Sequence, residues 1–189
     1  MTTSSTTSTT TSPSVSTSST TSTTTTPSVS TSSTTSTTTP QPISCPPDGS
    51  GFTTVQLEDG NYFTYRVAKM LASQETAIQS CTNHGSFLAR VTTVAKMNML
   101  LQLIRTCSGY NSGLYDYYVD GSNAGATDFF APGAWVMSNG DLVPMSNDFW
   151  GDMKPNYPET QHCLRMTADI NFMWDDCSCS LEHYFICEK

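Results

Sequence analysis

Hydrophobic side chains recur with a helical period in two stretches of the chain. The first helix is predicted between Ser73, a typical N-cap residue, and Gly85, a typical helix stop. The second is predicted to begin near Thr92 or Thr93. The apolar positions that define the two helices are Ala77, Ile78 and Cys81 in the first, and Met97, Leu100, Leu101 and Ile104 in the second.

Short apolar runs on either side of the helices predict strands. Residues 52–67 form two such runs, joined by a turn signal at Asp59-Gly60-Asn61. Residues 120–160 are rich in Gly, Asn, Asp and Pro, which is typical of a long irregular loop with a function. The order of elements, a hairpin, two helices and then strands around a loop, predicts an α+β fold. The later strands are predicted at 115–119, 163–166, 171–174 and 184–187.

Residues 1–44 have no such pattern. Of these residues, 35 are Ser or Thr, and none is charged or aromatic. The segment cannot bury enough apolar surface to offset the entropy of ordering, and its composition is typical of O-glycosylated, mucin-like stalks. We therefore predict a disordered stalk at 1–44 and one folded domain at 45–189, which holds all 16 acidic, 8 basic and 7 cysteine residues.

The cysteine content favours an extracellular protein. Seven cysteines in one domain are typical of disulfides formed in an oxidising compartment. However, the first residues have neither the basic start nor the apolar core of a secretory signal peptide. The segment 13–25 recurs at 27–39, and residues 2–11 resemble part of it, which we interpret as a truncated N-terminus with the signal upstream. An intracellular Ser/Thr-rich linker is the alternative.

Charge and motifs exclude several functions. The net charge of −8 argues against a nucleic-acid partner, because such binding requires a basic patch. The sequence has no run of 18 or more apolar residues, so it does not predict a membrane span. No acidic pair lies in a catalytic motif, and no Cys/His cluster has the spacing of a zinc site, so we do not predict an enzyme.

Several sequence landmarks coincide within the predicted domain. The first helix carries an Ala four residues before Cys81, and Gly and then Leu-Ala follow it. The chain then reads GAWVMSNGDL at 133–142, FWGDMKPN at 149–156, WDDCSC at 174–179 and YFICE at 184–188. In this order and spacing the landmarks resemble the C-type lectin-like domain over residues 45–189. The resemblance implies a non-catalytic extracellular recognition module.

The resemblance also implies two disulfides, Cys81–Cys187 and Cys163–Cys179. Longer members of the family have an additional N-terminal bridge, and Cys45 occupies the first of its two positions. Thr64 stands where the second cysteine of that bridge belongs, so Cys45 lacks its usual partner.

The remaining cysteines leave the third disulfide open. Pairing Cys107 with Cys177 leaves Cys45 unpaired, and a lone cysteine beside a stalk suggests a disulfide-linked homodimer. The alternatives are a Cys45–Cys107 bridge or a buried free thiol.

In sugar-binding members, the resemblance implies a calcium ion at the end of the long loop. Its ligands come from an acid-Pro-acid/amide triplet, an acid two residues before a cysteine, and the pair that follows the strand Trp. The corresponding positions here are Lys154-Pro155-Asn156, Gln161 and Asp175-Asp176, and Pro155 is expected to be cis. Calcium requires six to eight oxygens, whereas the ammonium of Lys154 has no acceptor.

Lys154 leaves two alternatives for this site. In the first, which we favour, Lys154 takes the metal position and pairs with Asp175 or Asp176, so that calcium is not needed. In the second, Lys154 swings out and Glu159 completes a weak calcium site. The predicted ligand is a carbohydrate or glycoprotein, and the alternatives are a protein partner or a structural role in mucus or matrix. The candidate ligand-binding residues are Lys154, Asn156, Glu159, Gln161, Asp175 and Asp176, of which Asn156, Gln161, Asp175 and Asp176 are also the candidate metal ligands.

Overall fold

The computed structural model describes residue 45, residues 51–107 and residues 115–189. The stalk predicted at 1–44 lies outside the described residues. Within the described part of the chain, no helix is both long and apolar enough to cross a membrane.

Both helices form where the hydrophobic period predicts them. Helix α1 spans Gln74–Asn83 and helix α2 spans Val94–Thr106. The side chains of Ser73 and Thr93 cap them, each accepting a hydrogen bond from the backbone N–H three residues further on. Gly85 follows α1 with a φ of 63°, a conformation that favours glycine and reverses the chain after the helix.

The described strands form one sheet. They are β1 (Thr53–Gln56), β2 (Tyr62–Ala72), β3 (Phe87–Leu88), β4 (Tyr117–Ser122), β5 (Cys163–Thr167), β6 (Met173–Cys177) and β7 (His183–Glu188). Their order is β1-β2-β7-β4-β5-β6, with β3 also paired to β7, and only β4 and β7 run parallel. The strand predicted at 171–174 is shifted to β6, because Asn171 and Phe172 have positive φ and form the turn before it. The α+β class predicted from the sequence is confirmed.

Side chains alternate along the strands between two hydrophobic clusters, one on each face of the sheet. On β7, Ile186 packs in the cluster that contains α2, whereas Phe185 and Cys187 pack in the cluster that contains α1. The α2 cluster includes all three tryptophans of the chain, Trp135, Trp150 and Trp174.

Backbone hydrogen bonds attach the long loop to β6. The backbone N–H of Trp174 donates to Phe149 O at 2.8 Å, and its carbonyl accepts from Gly151 N at 3.0 Å. A Cβ at Gly151 would clash with the end of the Ile170 side chain, so the glycine lets Ile170 pack against this part of the loop. Further along the loop, the buried amide of Asn123 donates to Pro158 O at 2.8 Å. The loop residues between Gly151 and Pro158 are therefore held at both ends.

The cysteines form three disulfides, Cys81–Cys187, Cys163–Cys179 and Cys45–Cys107. The first two are those that the resemblance implies. The predicted Cys107–Cys177 pair is wrong, because Cys107 packs in the α2 cluster and Cys177 in the α1 cluster, on opposite faces of the sheet. The intrachain partner of Cys45 also removes the thiol that the predicted homodimer requires. Cys177 is a buried free thiol, and burial raises its pKa to about 12.

Thiol labelling tests this pairing. We expect the native full-length chain, without reductant, to show no reactive thiol at pH 8, because the Cys177 thiol is buried and protonated. After unfolding in urea, one thiol per chain should react with iodoacetamide, and peptide mass spectrometry should locate it at Cys177. Labelling of the exposed Cys45 in the native chain would contradict the Cys45–Cys107 disulfide.

Candidate functional site

Four side chains of alternating charge, the ionic row, connect β5 and β6 to the long loop. Arg165 on β5 lies opposite Asp175 on β6. Its Nη1 donates to Asp116 Oδ2 at 2.8 Å, and its Nη2 donates to Asp175 Oδ2 at 2.7 Å. Lys154 completes the row from the loop, with its Nζ 2.7 Å from Asp175 Oδ1. Two positive and two negative charges balance in the row, which offsets the cost of removing each from water.

Burial makes this balance necessary. The Asp175 side chain is only 6% exposed, and a carboxylate at such a position requires compensating charge. Burial opposes the charge on Arg165, but the hydrogen bond to Asp175 and the attraction of Asp116 outweigh it, so its pKa is raised. His183 Nδ1 lies 3.9 Å from Asp116 Oδ2, and burial lowers the pKa of this imidazole. The positive charges of the site therefore come from Lys154 and Arg165.

Asp176 holds the backbone of the loop. Its side chain is fully buried, with Oδ1 accepting from Asn156 N at 2.9 Å and Oδ2 accepting from Tyr157 N at 2.8 Å. The Lys154–Pro155 peptide bond is cis, as the resemblance implies. Both oxygens of this carboxylate are thus engaged by loop N–H groups.

The other predicted residues lie along the same loop. Asn156 is exposed, and its Oδ1 accepts a hydrogen bond from Lys154 Nζ at 3.1 Å. Gln161 is half-buried, and its backbone N–H donates to Tyr157 O at 2.8 Å. Glu159 is exposed and is not a member of the ionic row. The structure therefore brings Asn156 to Lys154, whereas Gln161 and Glu159 extend the loop surface.

These residues do not fit a calcium ion. The side chains of Lys154 and Arg165 each contact one oxygen of Asp175, and backbone N–H groups occupy both oxygens of Asp176. Calcium needs several free oxygens, and an ammonium in the same position repels it. Among the described residues, no group of three or more His, Cys, Asp or Glu side chains is arranged to hold a metal. The ion pair of the first alternative is present, with Asp175 as the partner of Lys154.

Sequence reasoning missed three residues that shape this site: Asp116, Asn123 and Arg165. Arg165 is the one charge in the apolar run 163–166, and a lone charge inside a predicted strand is a usable signal, because buried charges are almost always paired. Its partner Asp175 is set by the register of β5 and β6, and its partner Asp116 lies 49 positions away in the sequence. The hydrophobic pattern predicts neither pairing. Asn123 stands among other loop-forming residues and gives no signal of its own.

Comparison with known proteins identifies the family. The family model of the Lectin C-type domain matches residues 71–189, and the chain belongs to this family. One segment of 58 residues is 36% identical to the C-type lectin lectoxin-Lio3 of Erythrolamprus poecilogyrus, and it covers 30% of this chain and 35% of that relative. A segment of 125 residues is 26% identical to the Salivary C-type lectin 2 of Aedes albopictus, and it covers 63% of this chain and 78% of the relative.

Solved structures share the fold. A calcium-independent type II antifreeze protein superposes with a TM-score of 0.55 at 22% sequence identity, covering 80% of this chain and 98% of that chain. At this identity the likeness concerns the fold alone. Members of the family are typically non-enzymatic binding proteins, so residues 71–189 belong to a non-catalytic recognition domain.

Proposed function

We propose that residues 45–189 form an extracellular module that binds carbohydrate without calcium, through the loop 151–161 and the adjoining end of β6. The observation that carries this proposal is the ion pair between Lys154 Nζ and Asp175 Oδ1, at 2.7 Å. By the resemblance to sugar-binding members of the family, the ammonium of Lys154 would stand in for their metal ion.

The loop surface carries the chemistry that a sugar needs. The Tyr157 ring is 54% exposed, and its backbone N–H is fixed by Asp176. A phenol offers an apolar face for the C–H groups of a pyranose and a hydroxyl for hydrogen bonding. Asn156 and Glu159 are exposed on either side of it and supply amide and carboxylate groups for sugar hydroxyls.

Two measurements test this proposal: the melting temperature with and without calcium, and the glycan binding of a tyrosine variant. We expect the melting temperature to agree within about 1 °C in excess EDTA and in millimolar calcium, because a ligand that does not bind the native state does not stabilise it. In EDTA, the chain should bind glycans on an array of neutral mono- and oligosaccharides. Tyr157→Ala should reduce that binding about tenfold, by the loss of one exposed ring and its hydrogen bond.

The matched control is Tyr62→Ala, which removes a ring that is 72% exposed on β2, away from the loop. Its glycan binding should remain within about twofold of the unmodified chain. A calcium-induced rise of several degrees would overturn the metal-free site. Equal losses of glycan binding in the two tyrosine variants would mean that the loop is not the binding surface.

A protein ligand is the second candidate, and one residue favours it. Met153 is 83% exposed beside the ionic row and has a positive φ of 56°. A non-glycine residue in this conformation is strained, and exposed methionines are common at protein-binding surfaces. A ligand glycoprotein that still binds after enzymatic deglycosylation and in excess monosaccharide, but not to Met153→Ser, would establish this candidate over the carbohydrate one.

We further propose that residues 1–44 are an O-glycosylated stalk that precedes this domain. The support is compositional: 35 of the 44 residues carry a hydroxyl that can accept a glycan. The full chain, secreted from animal cells behind an added signal peptide, should have a mass well above its 20.5 kDa polypeptide. Removal of O-glycans should return it to that value, and a secreted chain already at the polypeptide mass would contradict the stalk.

A further inference from the structure

An open groove lies between β2 and α1, on the face of the sheet that carries the α1 cluster. Its volume is about 410 Å³. Polar and charged groups line it from both elements, and the fully buried Phe185 of β7 borders it. The lining side chains that matter here are Arg66 and Lys69 of β2, Ser80 of α1, and His84 immediately after α1.

The charge of this groove is opposite to that of the chain. The chain has 16 acidic residues, 8 Lys and Arg residues, and 3 His residues. Arg66 and Lys69 line the groove together with the imidazole of His84, and none of the described residues that line it is Asp or Glu. In a protein with a net charge of −8, such a local excess of positive charge attracts anions that the rest of the surface repels.

Arg66 also has an unused donor there. Its Nε is buried and has no hydrogen-bond partner among the described residues. A buried donor without an acceptor is costly, and an oxyanion in the groove would satisfy it. Nearby, His84 Nδ1 lies 2.7 Å from Ser80 O, a hydrogen bond that fixes the imidazole ring at the end of α1.

We propose that this groove is a second binding site, which takes a sulfate or carboxylate group of an acidic glycan. The planar guanidinium of Arg66 matches the geometry of an oxyanion, and such charge-assisted hydrogen bonds are about twice as strong as neutral ones. The Ser80 hydroxyl and the His84 imidazole add further polar contacts.

This site is separate from the loop site. The groove uses β2, whereas the loop is attached to β6, and the sheet order places these strands four spacings apart, about 19 Å. The proposal for the groove therefore does not depend on whether the loop binds sugar. A chain that uses both would hold an acidic glycan at one site and a neutral sugar at the other.

Three oligosaccharides of equal length test the proposal by calorimetry on the full chain at physiological salt. A heparin-derived hexasaccharide carries sulfate and carboxylate groups, a hyaluronan hexasaccharide carries carboxylates alone, and maltohexaose is neutral. We expect the first to bind and maltohexaose not to bind. Binding of hyaluronan as well would identify a carboxylate as sufficient, and its failure would identify sulfate as the recognised group. The absence of binding by both acidic probes would overturn the proposal.

Matched variants locate the binding. Arg66→Gln should weaken heparin hexasaccharide binding about tenfold, whereas Arg105→Gln, which removes the same charge from the exposed side of α2, should stay within about twofold. His84→Gln, at an exposed position, should weaken it by a smaller factor and serves if Arg66→Gln does not fold. Equal effects of Arg66→Gln and Arg105→Gln would mean unspecific attraction, and a loss in Tyr157→Ala would move the site to the loop. Either result would overturn the groove.

Discussion

Removing the Cys81–Cys187 disulfide by a Cys81→Ala/Cys187→Ala double substitution should lower the free energy of unfolding by about 4.7 kcal/mol. The bond joins α1 to β7 across 106 residues, so its loss releases a long loop in the unfolded chain. The free energy of unfolding of a native domain is typically about 5–15 kcal/mol, so the variant should be partly unfolded at 37 °C. Urea unfolding at 25 °C, followed by circular dichroism, measures the loss.

The matched comparison is the second disulfide that the resemblance implies. The Cys163–Cys179 bond closes only 16 residues, so the corresponding double substitution should cost about 3 kcal/mol by the same loop-closure argument. The two variants differ mainly in loop length, since Cys81, Cys187 and Cys163 belong to the α1 cluster and Cys179 packs against it. Equal losses, or a larger loss for the short loop, would mean that packing of the sulfurs, and not chain entropy, sets the cost.

Replacing Arg165 with Met should lower the free energy of unfolding by about 3 kcal/mol. The substitution keeps an unbranched side chain in place but leaves Asp116 without its ion pair and Asp175 with Lys154 alone. Breaking a buried pair costs more than the pair contributes, because the remaining charge stays away from water. Arg105→Met is the control, because that arginine is exposed on α2, and it should cost no more than about 1 kcal/mol.

A second substitution separates charge from packing. If uncompensated charge causes the loss, adding Asp116→Asn to the Arg165→Met variant should restore part of the stability, because the amide needs no counter-charge and still accepts from Ala168 N. If the loss arises from packing, the second substitution should lower stability further. Urea unfolding of both variants at neutral pH distinguishes the two results.

The parts of the fold that could be predicted are those whose signals are local. The caps at Ser73 and Thr93 and the apolar spacing after each of them suffice to place both helices. The start of β6 was less predictable, because Asn171 and Phe172 read as part of a strand until their positive φ values are known. The third disulfide could not be derived, because it depends on which face of the sheet Cys107 and Cys177 occupy.

The residues of the candidate site also divide into those that a local sequence signal reveals and those that it does not. Lys154 stood out because its charge contradicts the ligand set that the resemblance implies. An ion pair with Asp175 or Asp176 was expected from that conflict, and the structure forms it with Asp175. Arg165 and Asp116 did not stand out, because their contacts connect strands that are distant in sequence. Register and three-dimensional proximity determine such networks, and the pattern of one sequence specifies neither.

The cation of Lys154 is part of the polypeptide. It cannot be chelated, diluted or exchanged, so its occupancy is the same in every fluid that the protein enters. A lectin that depends on dissolved calcium releases its ligand when the calcium concentration falls, as linkage requires. By the proposed function, this domain would keep hold of its ligand under those conditions. Release would then depend on competition by other sugars or on degradation of the ligand, which suits persistent capture better than repeated cycles of uptake and discharge.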